Sequence, residues 1–234
     1  VPRTAVLHGA GTLRWAHSAA AGVGASITED FRASGAVLTN SRGIHAEPVS
    51  DWVITAIGFC ARGFHRAARA QSERRWDRES FTGNWGVPTE FSSLRVGVVG
   101  LGGIGRAVAR KCAALGMEVR AVRRNHSGQL PPDVVWLGGA DDLLELSAKS
   151  DVLVLALPHT DATAGLVSES VLGAMPRGAF VLNVSRGGIL DEEALIEQLD
   201  AGHIQGCVLD VVSTEPLPSE HPLWDHPAVF LTPH

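Results

Sequence analysis

Gly100-Leu101-Gly102-Gly103-Ile104-Gly105 places three glycines at the spacing G-x-G-x-x-G, at positions 100, 102 and 105. Such a run does chemistry by holding phosphates. Its first glycine permits a tight turn, its second lets backbone approach a pyrophosphate, and its third lets a helix pack close to a strand. Gly103 and Ile104 stand at the helix start, where free N–H groups and the positive dipole end favour an anion. The alternative is a plain glycine-rich turn. Context separates the two: Arg95–Val99 is an apolar run of strand length, and Ile104–Leu115 has helical character. A strand before the run and a helix after it make a dinucleotide fingerprint.

The end of the next strand, Met117–Val122, bears on which dinucleotide. An acidic residue there would hydrogen-bond the ribose 2′-OH of NAD. Arg123 and Arg124 stand there instead. A guanidinium pairs with a 2′-phosphate bidentately, where a carboxylate repels it. The pair favours NADP(H), with NAD(H) possible. The bland alternative is a solvated surface pair.

Three further side chains could work on a bound small molecule. Arg186 follows the apolar run Ala179–Asn183, so it sits at a strand end, where ligands bind in parallel sheets. Its fork is planar and always charged. Glu215 precedes Pro216, and His234 follows Thr232-Pro233. Imidazole titrates near working pH, which suits proton transfer. Singly, each has an ordinary reading: a surface charge, a loop residue, a solvated histidine.

The elements that must position these groups follow one rhythm. From Leu94 on, strands alternate with helices. The strands are 95–99, 117–122, 151–156, 179–183, 207–210 and 229–231. The helices are 104–115, 143–148, 168–175 and 192–201, the last capped by Asp191 and ended by Gly202. Continuously apolar strands between helices mean a doubly wound parallel α/β sheet, covered on both faces. Before it, Val37–Asn40 reads as a strand. A long helical pattern starts near Pro48 and runs to about Arg75, with Val49, Trp52, Val53, Ala56, Ile57, Cys60 and Phe64 at three and four spacing. Residues 76–89 are polar and turn-rich.

Composition excludes several classes. The 234 residues carry a net charge of −5 and no Lys/Arg-rich block, which argues against a nucleic-acid partner. Three scattered cysteines, Cys60, Cys112 and Cys207, fit a reducing compartment and neither a disulfide framework nor a metal site. No apolar run reaches membrane-spanning length and no leader pattern opens the chain, so the expected location is the cytoplasm.

Three segments then carry a resemblance: Asn183-Val184-Ser185-Arg186-Gly187-Gly188, Leu209-Asp210-Val211-Val212-Ser213-Thr214-Glu215-Pro216-Leu217, and Leu231-Thr232-Pro233-His234. With the glycine loop, they resemble the D-isomer-specific 2-hydroxyacid dehydrogenases, the glyoxylate/hydroxypyruvate reductases among them. The match also takes in Ala21-Gly22-Val23 and Thr39-Asn40-Ser41-Arg42-Gly43. The resemblance implies hydride transfer between a nicotinamide cofactor and a small 2-keto or 2-hydroxy acid. It implies that Arg186 holds the substrate, His234 is the acid/base, and Glu215 orients the imidazole. Pro158 and Asp210 would lie near the cofactor, and Ala21, Gly22 and Val23 would receive the substrate carboxylate. His159, after Pro158, matches no acid/base position.

The resemblance also implies an organisation. Residues 1–45 would be a remnant of a flavodoxin-like substrate domain, and 46–234 a Rossmann nucleotide domain that includes a long dimerisation helix. That helix's exposed apolar stripe would call for a homodimer. The outer ends of the substrate domain would lie outside the chain. Two departures stand out: Asp51 where Glu is commoner, and Arg123 where Asp is commoner. A rival reading is a co-repressor-like scaffold of the same family that binds dinucleotide without catalysis. A formate dehydrogenase would carry Gln in place of Glu215, and a short-chain reductase needs a tyrosine, which this chain lacks.

Overall fold

The computed structural model describes residues 13–19, 22–23, 27–82, 89–125 and 129–234. It divides into two compact units, 1–47 and 48–234.

In the first unit, strands β1 (Trp15–Ser18) and β2 (Val37–Asn40) pair in parallel. Between them lies helix α1 (Glu29–Ala33), capped by Thr28, whose hydroxyl accepts from the Phe31 N–H at 3.2 Å. The strand 37–40 was expected; β1 and α1 were not read from the sequence, because β1 is Trp-Ala-His-Ser with no β-branched residue and α1 is only five residues long.

The second unit is built on a seven-stranded, wholly parallel sheet. Its strands are β3 (Arg95–Val99), β4 (Glu118–Val122), β5 (Trp136–Gly138), β6 (Val152–Leu155), β7 (Ala179–Asn183), β8 (Ile204–Leu209) and β9 (Val229–Leu231). They lie in the order β5-β4-β3-β6-β7-β8-β9. Six were expected; β5 is only three residues long and ends in a Gly-Gly pair that reads as a turn.

Strand pleating explains the continuous apolar runs. Successive side chains point to opposite faces. Val152 and Val154 join one core cluster, while Leu153 and Leu155 join the other. Helices α2 (Ala46–Ala61) and α4 (Gly103–Ala114) contribute to the first cluster, and α5 (Leu143–Ala148), α6 (Glu169–Ala174) and α7 (Glu192–Asp200) to the second. Truncating a fully buried Ile57 or Leu153 to Ala would cost about 2–5 kcal/mol.

The sequence pattern read as one helix over 48–75 is two. After α2 the chain turns at Gly63, in the left-handed region at φ 68°, and restarts as α3 (Phe64–Ser72). Apolar spacing continues across the break from Cys60 to Phe64, so periodicity alone could not reveal it. Phe64 lands exposed, whereas Val53, Ala56, Ile57 and Cys60 are buried in the chain's own core. The stripe expected to be exposed for a partner is therefore largely occupied by the chain's own sheet. Among the described residues no helix is long and apolar enough to cross a membrane.

Candidate active site

In a parallel sheet every strand delivers its C-terminal end to one edge. The order here reverses between β3 and β6, whose loops open the crevice where ligands bind in such folds. The glycine run follows β3, and Pro158 follows β6. Gly100 has φ 97°, and a Cβ on it would lie 2.7 Å from the Ala156 carbonyl oxygen, in the segment leaving β6. A Cβ on Gly105 would sit 2.0 Å from the Gly100 carbonyl oxygen. Only glycine lets helix, turn and strand approach so closely. At Gly102, by contrast, a Cβ would meet nothing within 4 Å. The space beside the start of α4 is open, and Gly102 caps that helix with no side-chain bond. The turn thus fits a pyrophosphate at the helix N-terminus.

Arg123 follows β4 beside this turn, since the Gly100 N–H donates to Val122 O at 2.9 Å. The Arg123 N–H donates to Gly138 O at 3.1 Å, fixing the backbone from which its half-buried side chain extends. Arg124 is exposed. Both stand on the edge that carries the glycine run. Pro158 is exposed too, and its carbonyl accepts from Thr163 Oγ1 at 2.8 Å.

On the other side of the switch, Arg186 follows β7 in extended backbone and is exposed. Its Nη1 donates to Ser185 O at 2.6 Å. The loop is folded by Asn183, a fully buried side chain whose Oδ1 accepts from Ser185 N and Ser185 Oγ and whose Nδ2 donates to Arg186 O. Next to it, a Cβ on Gly187 would lie 1.9 Å from Val212 C, so the β7 and β8 loops pass backbone to backbone.

Past β8, Asp210 accepts from Thr232 Oγ1, which ties the ends of β8 and β9 together. Glu215 and His234 meet: His234 Nδ1 lies 2.8 Å from Glu215 Oε2. In the tautomer in which Nδ1 donates to this carboxylate, Nε2 is the nitrogen left to exchange a proton. The second Glu215 oxygen accepts from Val212 N at 3.3 Å. Strands lie about 4.8 Å apart, so β7 and β9, two places apart, put Arg186 and His234 on strand ends about 10 Å apart.

Sequence reasoning missed Glu192. Its Oε1 accepts from Ser213 N at 2.6 Å, holding the loop of Glu215 against the start of α7. Its Oε2 lies 4.0 Å from His221 Nε2. Nothing in the sequence marks this link, which spans 21 residues. His159 is exposed, and its Nε2 would lie 2.9 Å from a Cβ on Gly188, beside the Arg186 loop.

Of the residues expected to receive a carboxylate, Gly22 and Val23 lie in the first unit and Ala21 falls outside the described residues. Gly22 is exposed, while Val23 O already accepts from Ile27 N at 3.2 Å. Among the described residues no group of three or more His, Cys, Asp or Glu side chains could hold a metal ion. The three cysteines are buried, and burial pushes the thiols of Cys60 and Cys112 up to about 12, far from a reactive thiolate. His65 is held below its ordinary pKa by burial first and by the neighbouring Arg66 charge second, against a hydrogen bond donated to the Phe59 backbone that raises it.

Residues 54–234 match the family model for the NAD-binding domain of D-isomer-specific 2-hydroxyacid dehydrogenases. A glyoxylate/hydroxypyruvate reductase A of Salmonella typhi is 40% identical over 145 residues, covering 62% of this chain and 45% of that protein. The chain thus spans about half the length of such relatives. A 2-hydroxyacid dehydrogenase of Xanthobacter autotrophicus Py2, solved with NADPH and MES, superimposes with TM-score 0.84 at 34% identity, covering 95% of this chain and 68% of that one. An NADPH-dependent glyoxylate/hydroxypyruvate reductase of Sinorhizobium meliloti, solved with NADP and sulfate, gives TM-score 0.82 at 28% identity, covering 95% and 69%.

Proposed function

The chain belongs to the D-isomer-specific 2-hydroxyacid dehydrogenase family, and from that premise we propose that it reduces a small 2-keto acid, of the glyoxylate or hydroxypyruvate type, with NADPH. The observation that carries this reading is the 2.8 Å pair of His234 and Glu215 on the sheet edge that also bears Arg186 and the glycine run. The S. typhi relative named for this activity and the neighbours solved with NADPH or NADP support it.

The pyrophosphate would rest on Gly102, Gly103, Ile104 and the start of α4. Arg123 and Arg124 would face the 2′-phosphate, and Pro158 and Asp210 the nicotinamide end. When bound, the cofactor supplies a hydride to the substrate's carbonyl carbon. The chain's own residues do the rest. Arg186 pairs with the carboxylate and the carbonyl oxygen through its fork, which fixes the carbonyl for attack. His234 gives its Nε2 proton to the oxygen as negative charge develops there, and so yields the 2-hydroxy acid. Glu215 orients the imidazole and holds the tautomer that presents Nε2.

Residues 1–45 serve in this reading as part of the substrate domain, with Ala21, Gly22 and Val23 at the carboxylate, and 46–234 as the nucleotide domain. The working protein is a cytoplasmic homodimer. Phe64 and Trp76, at 59% and 92% exposed, give the second copy its apolar contacts, beside a 690 Å³ cavity lined by Ala70, Arg74, Trp76 and Phe81 among others.

The test is steady-state oxidation of NADPH and of NADH with glyoxylate, hydroxypyruvate, pyruvate and phenylpyruvate, on the full-length protein and its His234→Ala variant. NADPH-selective turnover that collapses in the variant is expected. Dinucleotide binding without turnover of any keto acid would replace this reading with a binding scaffold.

A further inference from the structure

Asn183 is the last residue of β7 and is wholly shielded from solvent. A side chain so placed cannot touch a ligand in the crevice, yet both ends of its amide are used. Oδ1 accepts from Ser185 N at 3.0 Å and from Ser185 Oγ at 2.6 Å. Nδ2 donates to the carbonyl of Arg186 at 3.1 Å. The Asn183 carbonyl accepts from the Asp210 N–H at 3.0 Å, so the same residue is the hinge between the β7 and β8 loops. Three bonds from one amide wrap the chain between the strand end and Arg186 into a fixed turn. The Arg186 guanidinium then leans back on that turn through Nη1 and Ser185 O at 2.6 Å. The backbone from which Arg186 springs and the carbonyl against which it rests are thus both set by Asn183.

We propose that Asn183 is the positioning residue of Arg186, acting on substrate only through the aim of that guanidinium. The proposal rests on the reading of Arg186 as the group that holds the keto acid. Asparagine suits the task because it donates at one end and accepts at the other without charge. An apolar residue of equal size would leave three groups unbonded, two of them on buried Ser185, and an aspartate would put a charge in the core. Aim matters because a displacement of about 1 Å in a positioning group can cost about a hundredfold in rate.

The experiment is a double-mutant cycle on the full-length protein, with kcat/KM for the keto acid and NADPH affinity measured for wild type, Asn183→Ala, Arg186→Ala and the double variant. The expected result for Asn183→Ala is a loss of about 10- to 100-fold in kcat/KM, carried mainly by KM, with NADPH affinity held within about threefold. In the Arg186→Ala background the same change should cost less than about twofold, because nothing is left to aim. Equal losses in both backgrounds would overturn the proposal and leave Asn183 a structural residue. Full activity of Arg186→Ala would instead overturn the reading of Arg186, and the proposal with it. If Asn183→Ala does not fold, the cycle is run with Asn183→Thr, and loss of NADPH binding in both variants also overturns a role confined to Arg186.

Discussion

Glu215 and His234, 19 residues apart in the chain, are joined by a 2.8 Å contact at the ends of two neighbouring strands. In the proposed reading the contact holds the tautomer that leaves Nε2 free to act on substrate. Glu215→Gln keeps the size of the side chain and removes its charge. The expected outcome is a fall in kcat of about 10- to 100-fold with KM for the keto acid little changed, since positioned proton transfer contributes about 10²–10⁴ in all. Steady-state kinetics decide it; an unaltered kcat would remove Glu215 from the mechanism.

Arg123 and Arg124 carry the cofactor preference in the proposed reading. Replacing both with Ala should raise KM for NADPH by about 10- to 100-fold, the worth of one or two hydrogen bonds to a charged group. KM for NADH should barely move. Parallel titrations with the two cofactors measure the ratio, and an equal loss for both would mean the pair does not read the 2′-phosphate.

Gly187 lies where two loops have no room between them. A Cβ there would overlap the Val212 backbone at 1.9 Å, and neither side is a flexible side-chain end. Gly187→Ala should shift the loop that carries Glu215, lowering kcat by at least tenfold and Tm by several degrees, consistent with overpacking of about 1–3 kcal/mol. Melting curves and turnover on one preparation test both; a variant as active and stable as wild type would show that the loops can separate freely.

His65 sits among the rings of Phe59, Phe180 and Phe230, with centroids 5.9, 6.4 and 5.8 Å away. Its folded pKa lies below the unfolded value of 6.5, chiefly through burial. The unfolded chain therefore binds more protons at and below that pH, and stability must rise with pH there. The stability tied to the neutral ring is fully present above about 6.5 and is lost as pH falls through that value toward the folded pKa. His65→Phe should flatten this part of the curve, so the Tm difference between wild type and variant is constant above pH 7 and shifts toward the variant between pH 6.5 and 5. A difference that does not change with pH would show that His65 is not the group involved.

Much of this was legible beforehand because it is local. The glycine run, the apolar strands and the caps at Asp191 and Gly202 each sit within a few residues of what they control. Helix α2 deceived because its apolar spacing runs on through Gly63; only the backbone geometry at that glycine ends it. Asn183 left a faint trace, since an Asn with a Ser two residues on is the pattern of a side chain that bonds its own backbone. Glu192 left none: its partner Ser213 is brought close by the packing of α7 and the β8 loop, and that is a property of the fold.

The close passage of Gly187 over Val212 also bears on how the sheet edge could diversify. With no gap between the two loops, neither can be lengthened or reshaped without its neighbour accommodating the change. Change in what the proposed site accepts is then steered away from this pair. It falls to segments that lie outside the contact, where insertions leave the Arg186 and Glu215 backbones undisturbed. A selection for altered substrate range should accumulate changes there and spare residues 185–188 and 211–215.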